Sequence, residues 1–162
     1  MTREDIINFF DKSLTPTCDI LDNKYNAFNG GCTYVSSLIA KHLEEKGINY
    51  DVIIYEHPTI LHHNTPMEMA EDNDISHVLI HVKLGTRDFY FYKNFSDKDI
   101  SELKLKKHVF KLSSDELMDI YRKSEWNDEF DEDNPPFNPE DEPYVKDEID
   151  FTFSGFEYMQ FS

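Results

Sequence analysis

The chain has 162 residues, 39% of them hydrophobic, which is enough for one domain with a substantial apolar core. Its formal net charge of −17 disfavours direct binding to nucleic acid or to anionic membranes, but it permits a basic protein partner. No run approaches the roughly 20 apolar residues of a membrane span, and the N-terminal MTREDIINFFDK is charged rather than apolar, so we expect a cytoplasmic protein.

The first part of the chain predicts two helices and a strand. Apolar residues at helical spacing in REDIINFFDKSL indicate a short first helix, and the Pro, Asn and Gly of TPTCDILDNKYNAFNGG indicate a loop. A stronger helical pattern runs from Cys32 to about Lys46, and Gly47 suits the end of that helix. The β-branched sequence INYDVIIYEH follows at once and predicts a strand.

The middle of the chain predicts a hairpin and then further helices and strands. SHVLIHVKL and RDFYFYKNF flank Gly85–Thr86 and indicate two antiparallel strands with a tight turn. SDKDISELKL predicts a short helix capped by Ser96, and KHVFKL predicts a further strand. SSDELMDIYRKSEW predicts a helix in which Ser113 and Glu116 form a capping box.

The last part of the chain is acidic and then aromatic. Residues 127–150 contain 11 Asp or Glu and one Lys, and their prolines disfavour a helix, so we predict an extended acidic segment on the surface. Phe130, Phe137 and Tyr144 recur every seven residues and should anchor this segment to the domain or to a partner. The alternating sequence FTFSGFEYMQF predicts a final strand over residues 151–161.

These elements together predict a single α+β domain over residues 1–162, with helices packed on a mostly antiparallel sheet. Val35, Ile39 and Leu43 share a helical face with Cys32. We therefore expect the helix that carries Cys32 to pack on the sheet, with its thiol pointing toward the strands.

Cys32 is open to two interpretations. With Cys18 as its only companion it belongs to no disulfide framework and should be a free thiol. A thiol at a helix N-terminus experiences the positive end of the helix dipole, which lowers its pKa and favours the nucleophilic thiolate. Gly30 and Gly31 would let a substrate approach the backbone there. Alternatively, Cys32 is a buried structural residue, as free cysteines often are.

The predicted hairpin supplies partners for a reactive thiol. If Gly85–Thr86 is a two-residue turn, His77 lies opposite Asn94. Thiol catalysis requires a histidine that removes the thiol proton and a polar third residue that orients the imidazole. A shift of the strand register would move Asn94 away, and Asp97 or Asp88 would then be the alternative orienting residue.

Two segments carry a resemblance to a known family. GGCTYVSSLIAKHLEEKGINYDVIIYEH is similar to the cysteine-helix-strand segment of the transglutaminase-like/papain-like cysteine protease superfamily, and SHVLIHV is similar to its histidine strand. The order Cys, His, then Asn or Asp matches over about residues 26–97. The resemblance implies a papain-like fold with Cys32 as the nucleophile, His77 as the general base, and Asn94 or Asp97 as the orienting residue.

The resemblance also implies an amide side chain shortly before the cysteine that helps to bind the oxyanion. Asn26 resembles that residue, and Asn29 is the competing candidate. Leu79 departs from the family pattern, which has an aromatic residue two places after the histidine. This departure leaves open a degenerate, non-catalytic member of the same fold.

Histidines are frequent between the first strand and the hairpin. His57, His62, His63 and His77 are interspersed with acidic residues, but none of their spacings matches a helical metal-binding pair such as HExxH. We therefore expect a polar loop over the mouth of the site, and neither a metal nor a cofactor.

Two classes of function follow from these observations. The first is a cysteine-dependent hydrolase or acyltransferase that acts on an amide, ester or isopeptide bond of a peptide or protein substrate through a Cys-His-Asn/Asp triad. The second is a non-catalytic binding or inhibitory protein whose acidic surface captures a basic partner or mimics DNA. The motif order favours the first class, and the net charge favours the second.

Overall fold

Helices and strands alternate along the part of the chain that the structure, a computed structural model, describes: residues 2–28, 31–92, 94–125 and 137–159. The helices are α1 (Arg3–Phe9), α2 (Thr15–Tyr25), α3 (Cys32–Glu45), α4 (Pro66–Glu71), α5 (Asp97–Leu103), α6 (Ser114–Glu125) and α7 (Tyr144–Met159). A π-helical turn, Phe10–Leu14, joins α1 to α2. The strands are β1 (Asp51–Glu56), β2 (Ile75–Leu84), β3 (Arg87–Phe91) and β4 (Lys106–Phe110).

The four strands form one antiparallel sheet in the order β3-β2-β1-β4. β2 pairs with β3 across a tight turn that contains Gly85, whose φ of +64° favours glycine. Leu84 lies opposite Arg87, as the predicted two-residue turn requires. The hairpin and its register are therefore confirmed, although β3 ends at Phe91.

The main core lies between one face of this sheet and the helices. Val35, Ile39 and Leu43 of α3 are fully buried against that face, and each such aliphatic side chain contributes about 1.5–3 kcal/mol to folding. The structure therefore confirms an α+β domain in which the Cys-bearing helix packs on an antiparallel sheet. A smaller apolar cluster contains Ile53, Tyr55, Leu79 and Leu105.

The segment that the sequence predicted as a loop is partly helical, and that prediction is wrong for α2. Pro16 lies in the first turn of α2, where a proline is tolerated because its missing N–H would lack a helical partner anyway. Leu14, Cys18 and Leu21 are buried at helical spacing. Their burial outweighs the loop tendency of the Pro and Asn residues.

The predicted final strand is also wrong, because its first nine residues continue α7. Phe9 contacts two rings of this helix, with centroid separations of 5.2 Å to Phe153 and 4.3 Å to Phe156. The buried side chains of α7 follow the helical period: Val145, Ile149, Phe153 and Phe156. Since α7 begins directly after Pro143, the extended part of the predicted acidic segment ends before residue 150.

The aromatic anchors that the sequence predicted for the acidic segment have different outcomes. Phe130 lies outside the described residues. Phe137 is buried, with 8% of its surface exposed, and is an anchor. Tyr144 is 62% exposed, so it does not anchor the segment to the domain, and its anchoring to a partner stays a prediction. It is the first residue of α7, and its neighbour Val145 takes the inward-facing position.

The predicted helix caps are confirmed. The backbone N–H of Asp99 donates to Ser96 Oγ at 3.1 Å at the start of α5. Ser113 and Glu116 each accept from the backbone N–H of the other at the start of α6. None of the helices in the described part of the chain is both long enough and apolar enough to cross a membrane.

Candidate thiol site

Cys32 is the first residue of α3, and the sequence before it fits tightly. A Cβ added to Gly31 would lie 2.2 Å from the Ala27 carbonyl oxygen and 2.4 Å from Phe137 Cδ1, so only glycine fits there. The thiol of Cys32 forms hydrogen bonds with the backbone of Val78 and with Thr33. One turn further along α3, Ser36 Oγ donates to the Val78 carbonyl oxygen at 3.5 Å. The start of α3 is therefore docked on the start of β2.

The Cys32 thiol is buried, with 8% of the residue's surface exposed. This burial raises the pKa of the Cys32 thiol, and the hydrogen bonds from Val78 and Thr33 offset only part of the effect. The expectation that the helix N-terminus lowers the pKa of Cys32 is therefore wrong for the structure as it stands. The cost of placing a thiolate in an apolar surrounding outweighs the attraction of the helix end.

His77 lies next to Val78 in β2 and is buried. Its ring contacts Tyr92 and Phe95, with centroids 4.7 and 5.6 Å away and the rings steeply inclined to each other. The residue opposite His77 in β1 is Tyr55. Because adjacent residues of a strand point to opposite faces of the sheet, Val78 faces the core that contains Cys32, whereas the His77 ring lies on the face of Tyr55, among aromatic rings.

Asn94 does not lie in a strand, which corrects the prediction that it pairs with His77 in the sheet. Tyr92, directly after β3, has a φ of +112°, and this backbone conformation turns the chain out of the strand. The Asn94 side-chain oxygen accepts a hydrogen bond from the Tyr55 hydroxyl. Asn94 therefore contacts Tyr55, the residue opposite His77 in β1, and its amide oxygen is engaged by the Tyr55 hydroxyl.

The remaining candidate residues are placed apart from the thiol or have other partners. Asp97 is exposed at the first position of α5. Asp88 accepts from His81 Nε2 at 2.8 Å. Asn26 is exposed and ends α2 in the left-handed conformation, which asparagine tolerates well. Asn29 lies outside the described residues.

Tyr92 is a member of the site that the sequence analysis missed. Its ring stacks on Phe28 with centroids 3.8 Å apart, and it also contacts His77. Burial raises the pKa of the Tyr92 hydroxyl, and the charges of Asp22 and Cys32 raise it further. Since an electrostatic effect of this kind requires proximity, Tyr92 is a neighbour of both the thiol and the imidazole. Its position on the polar side of the hairpin was visible in the sequence, but its positive φ was not.

A cavity of about 280 Å³ opens beside Tyr92. It is lined by Thr15, Cys18, Asp19, Asp22, Tyr90 and Tyr92. The cavity is therefore bounded by α2 and by the hairpin, and its wall includes the tyrosine that contacts His77.

Comparisons of this chain with protein-family models, with curated proteins and with solved structures find no match. The resemblance to papain-like proteins therefore stays a prediction from the order of motifs in the sequence.

Proposed function

We propose that the protein is a cysteine-dependent hydrolase or acyltransferase with a papain-like or transglutaminase-like arrangement. The observation that supports this proposal best is that Tyr92 contacts the His77 ring and lies close enough to Cys32 for an electrostatic interaction, so the thiol and the imidazole share a neighbour. A thiol at a helix N-terminus and a histidine in the same region are the combination that nucleophilic thiol chemistry uses. The substrate would be a peptide or protein that offers an amide, ester or isopeptide carbonyl.

In the proposed reaction His77 accepts the thiol proton as the sulfur of Cys32 forms a bond to the carbonyl carbon. The carbonyl electron pair moves to oxygen, and backbone N–H groups at the start of α3 stabilise that oxyanion. When the electron pair returns, the bond to the leaving group breaks and His77 gives the leaving group its proton. Water or a second amine then attacks the thioester carbon, and the sulfur leaves to regenerate Cys32.

Asn94 is the proposed orienting residue for His77, and Asp97 is the alternative. The Asn94 side-chain oxygen accepts a hydrogen bond from the Tyr55 hydroxyl in the free protein. To orient His77, Asn94 would have to give up this hydrogen bond and accept one from the imidazole instead. Because burial favours the neutral thiol, proton transfer to His77 would have to accompany substrate binding. The proposal also requires a rearrangement around Tyr92, the shared neighbour of both groups, that brings the sulfur and the imidazole together.

The experiment that tests this function is hydrolysis of a small ester, p-nitrophenyl acetate, and of an aminomethylcoumarin peptide amide. Cys32→Ala should abolish turnover of both probes, and His77→Ala should lower the rate by about 10² to 10⁴. Cys18→Ala is the matched control, since Cys18 is also a buried free thiol, and it should leave the rates unchanged. Equal rates in Cys32→Ala and the parent protein would exclude the thiol mechanism.

A second candidate function, capture of a basic protein segment, is favoured by a specific surface. Tyr144 and Phe151 of α7 are 62% and 78% exposed, and both line a groove of about 550 Å³ against α2. Asp147 and Glu148 lie between them on the same groove. Exposed aromatic rings that flank carboxylates suit a partner segment with alternating basic and apolar side chains. The net charge of −17 would attract such a segment at long range.

A further inference from the structure

A second group of titratable side chains surrounds the last residue of β1, on a different part of the molecule from Cys32. Glu56 lies at a β-bulge, where the pairing with β2 shifts by one residue. It is buried, yet it accepts from His63 Nδ1 at 2.6 Å and from His108 Nε2 at 3.2 Å. A buried carboxylate is thus held between two imidazoles.

His63 connects this carboxylate to two others. Its side chain is 4% exposed, and its Nε2 lies 2.6 Å from Asp72 Oδ2 and 3.7 Å from Asp74 Oδ2. Asp72 ends α4, and Asp74 stands just before β2. The backbone N–H of His57 donates to the Asp74 carbonyl oxygen at 2.7 Å and fixes the two ends of the β1–β2 connection together.

Carboxylates outnumber imidazoles in this group. Three carboxylates face two imidazoles, and Lys104 and Lys106 line the same cavity as Glu56 and His63. Asp74 Oδ2 is buried and accepts no hydrogen bond from any described residue. An unsatisfied buried carboxylate oxygen is costly, and a bound cation would remove that cost.

The distances fit one small ion. One ligand atom each from Glu56, His63 and Asp74 lies within 4.8 Å of the other two. Ligand atoms around one zinc ion lie about 3.3–3.6 Å apart when each bond is about 2.0–2.2 Å. The 2.6 Å contact between His63 Nδ1 and Glu56 Oε2 would therefore open to admit the ion, and the more distant atoms would approach by up to about 1.5 Å. The site is accessible, because Glu56 and His63 also line a surface cavity of about 340 Å³.

We propose that Glu56, His63 and Asp74 form a binding site for a divalent transition-metal cation of the zinc class. One imidazole nitrogen and two carboxylates suit Zn²⁺ better than the all-oxygen sites that Ca²⁺ and Mg²⁺ prefer. With the ion on His63 Nδ1, the contact of Nε2 with Asp72 orients the ligand, as carboxylates commonly do for metal-bound histidines. This proposal departs from the expectation that the histidine-rich segment binds no metal, which rested on the absence of a helical metal-binding pair; the ligands are separated by 7 and 11 residues.

The experiment measures Zn²⁺ binding by competition with a chromophoric chelator, and Co²⁺ absorption reports the ligand field. The full-length protein should bind one equivalent of Zn²⁺ and show a higher midpoint of thermal unfolding. Asp74→Asn and His63→Gln should each weaken binding at least tenfold, and Asp72→Asn should weaken it by about 10- to 100-fold. Asp74→Asn preserves the shape of the side chain, so it keeps the test decisive if His63→Gln fails to fold.

His81→Gln is the matched control, because His81 pairs with a single carboxylate, Asp88, at the surface. It should leave the Zn²⁺ affinity unchanged. Absence of Zn²⁺ binding would show that the group is an ion-pair network only and would overturn the proposal. Binding that persists in Asp74→Asn and is lost in Cys32→Ser, or in a His57→Gln/His62→Gln double variant, would place the ion elsewhere and would equally overturn it.

Discussion

The ring of Phe137 packs against Gly31, the residue that directly precedes Cys32. A residue from the end of the acidic stretch therefore covers the backbone at the start of α3. Gly31→Ala should destabilise the domain by about 1–3 kcal/mol, because its Cβ would overlap Phe137 and the Ala27 carbonyl oxygen. Urea unfolding measures this cost.

The control for this substitution is Gly155→Ala, on the exposed side of α7, where an added Cβ meets nothing within 4 Å. This change should be neutral or should stabilise the helix by up to about 1 kcal/mol. Similar effects of the two substitutions would show that Gly31 is not packed tightly against Phe137 and the Ala27 carbonyl oxygen.

Alkylation by iodoacetamide should separate the two cysteines. Burial raises the pKa of Cys18 to about 12, and burial also raises the pKa of Cys32, but His77 is available to the Cys32 thiol as a proton acceptor under the proposed mechanism. At about pH 8 we expect Cys32 to react at least tenfold faster than Cys18, since the thiolate is the reactive form. Mass spectrometry of the digested protein gives both rates. Equal alkylation rates of the two cysteines in the parent protein would contradict activation of Cys32 by His77. A faster reaction of Cys32 in the parent protein that is lost in His77→Ala would support it.

The hydrogen bond between Tyr55 and Asn94 should be measurable by a double-mutant cycle. Tyr55 is fully buried and its hydroxyl donates to the Asn94 side chain. Tyr55→Phe and Asn94→Ala should each cost about 1–2 kcal/mol of unfolding free energy, and the double variant should cost less than their sum by about 1 kcal/mol. Strict additivity would mean that the two groups do not interact in solution.

The contribution of His63 to stability should depend on pH in a defined direction. Hydrogen bonds to Asp72 and Glu56 raise the pKa of His63, so its contribution is fully present below its unfolded pKa and is lost as pH rises through its folded pKa. In the presence of EDTA, His63→Gln should therefore destabilise the protein more at about pH 6 than at about pH 9. A larger destabilisation by His63→Gln at about pH 9 than at about pH 6 would contradict this prediction.

Glu56 should show the opposite pH dependence. Burial acts to raise the pKa of Glu56, but hydrogen bonds from His63 and His108 bring the pKa below its ordinary value. Its contribution is present above the unfolded pKa and is lost as pH falls through the lower folded pKa. As the pH is lowered, the free energy of unfolding should therefore fall less in Glu56→Gln than in the parent protein. Acid unfolding of the two proteins measures this difference.

The groove between α2 and α7 should bind basic peptides in a salt-dependent manner. A labelled peptide of alternating Lys and Leu should lose affinity steeply with added salt, because exposed charges are screened over about 8–10 Å at physiological ionic strength. Asp147→Asn/Glu148→Gln should weaken binding by roughly threefold to thirtyfold. Asp115→Asn/Asp119→Asn on α6 removes the same charge and should have a much smaller effect. Equal effects of both pairs would indicate attraction by net charge alone.

Local patterns in the sequence were sufficient for a large part of the fold. The hairpin register follows from the two-residue turn at Gly85, and the starts of α5 and α6 follow from Ser96 and Ser113, since these features depend on neighbours within a few residues. The helix that begins at Cys32 was likewise determined by its apolar stripe. Each of these elements needs little from the rest of the chain.

The tertiary structure decided what local patterns leave ambiguous. Aromatic residues near Phe153 fit both an alternating and a helical period, and packing on Phe9 selects the helix. The pKa of Cys32 depends on two opposing effects, and the sequence shows only the helix end, whereas the desolvation that prevails comes from burial against β2. Glu56, His63 and Asp74 meet because a β-bulge and the end of α4 bring distant residues together. No short-range pattern encodes such a meeting, since it arises only when the chain closes on itself.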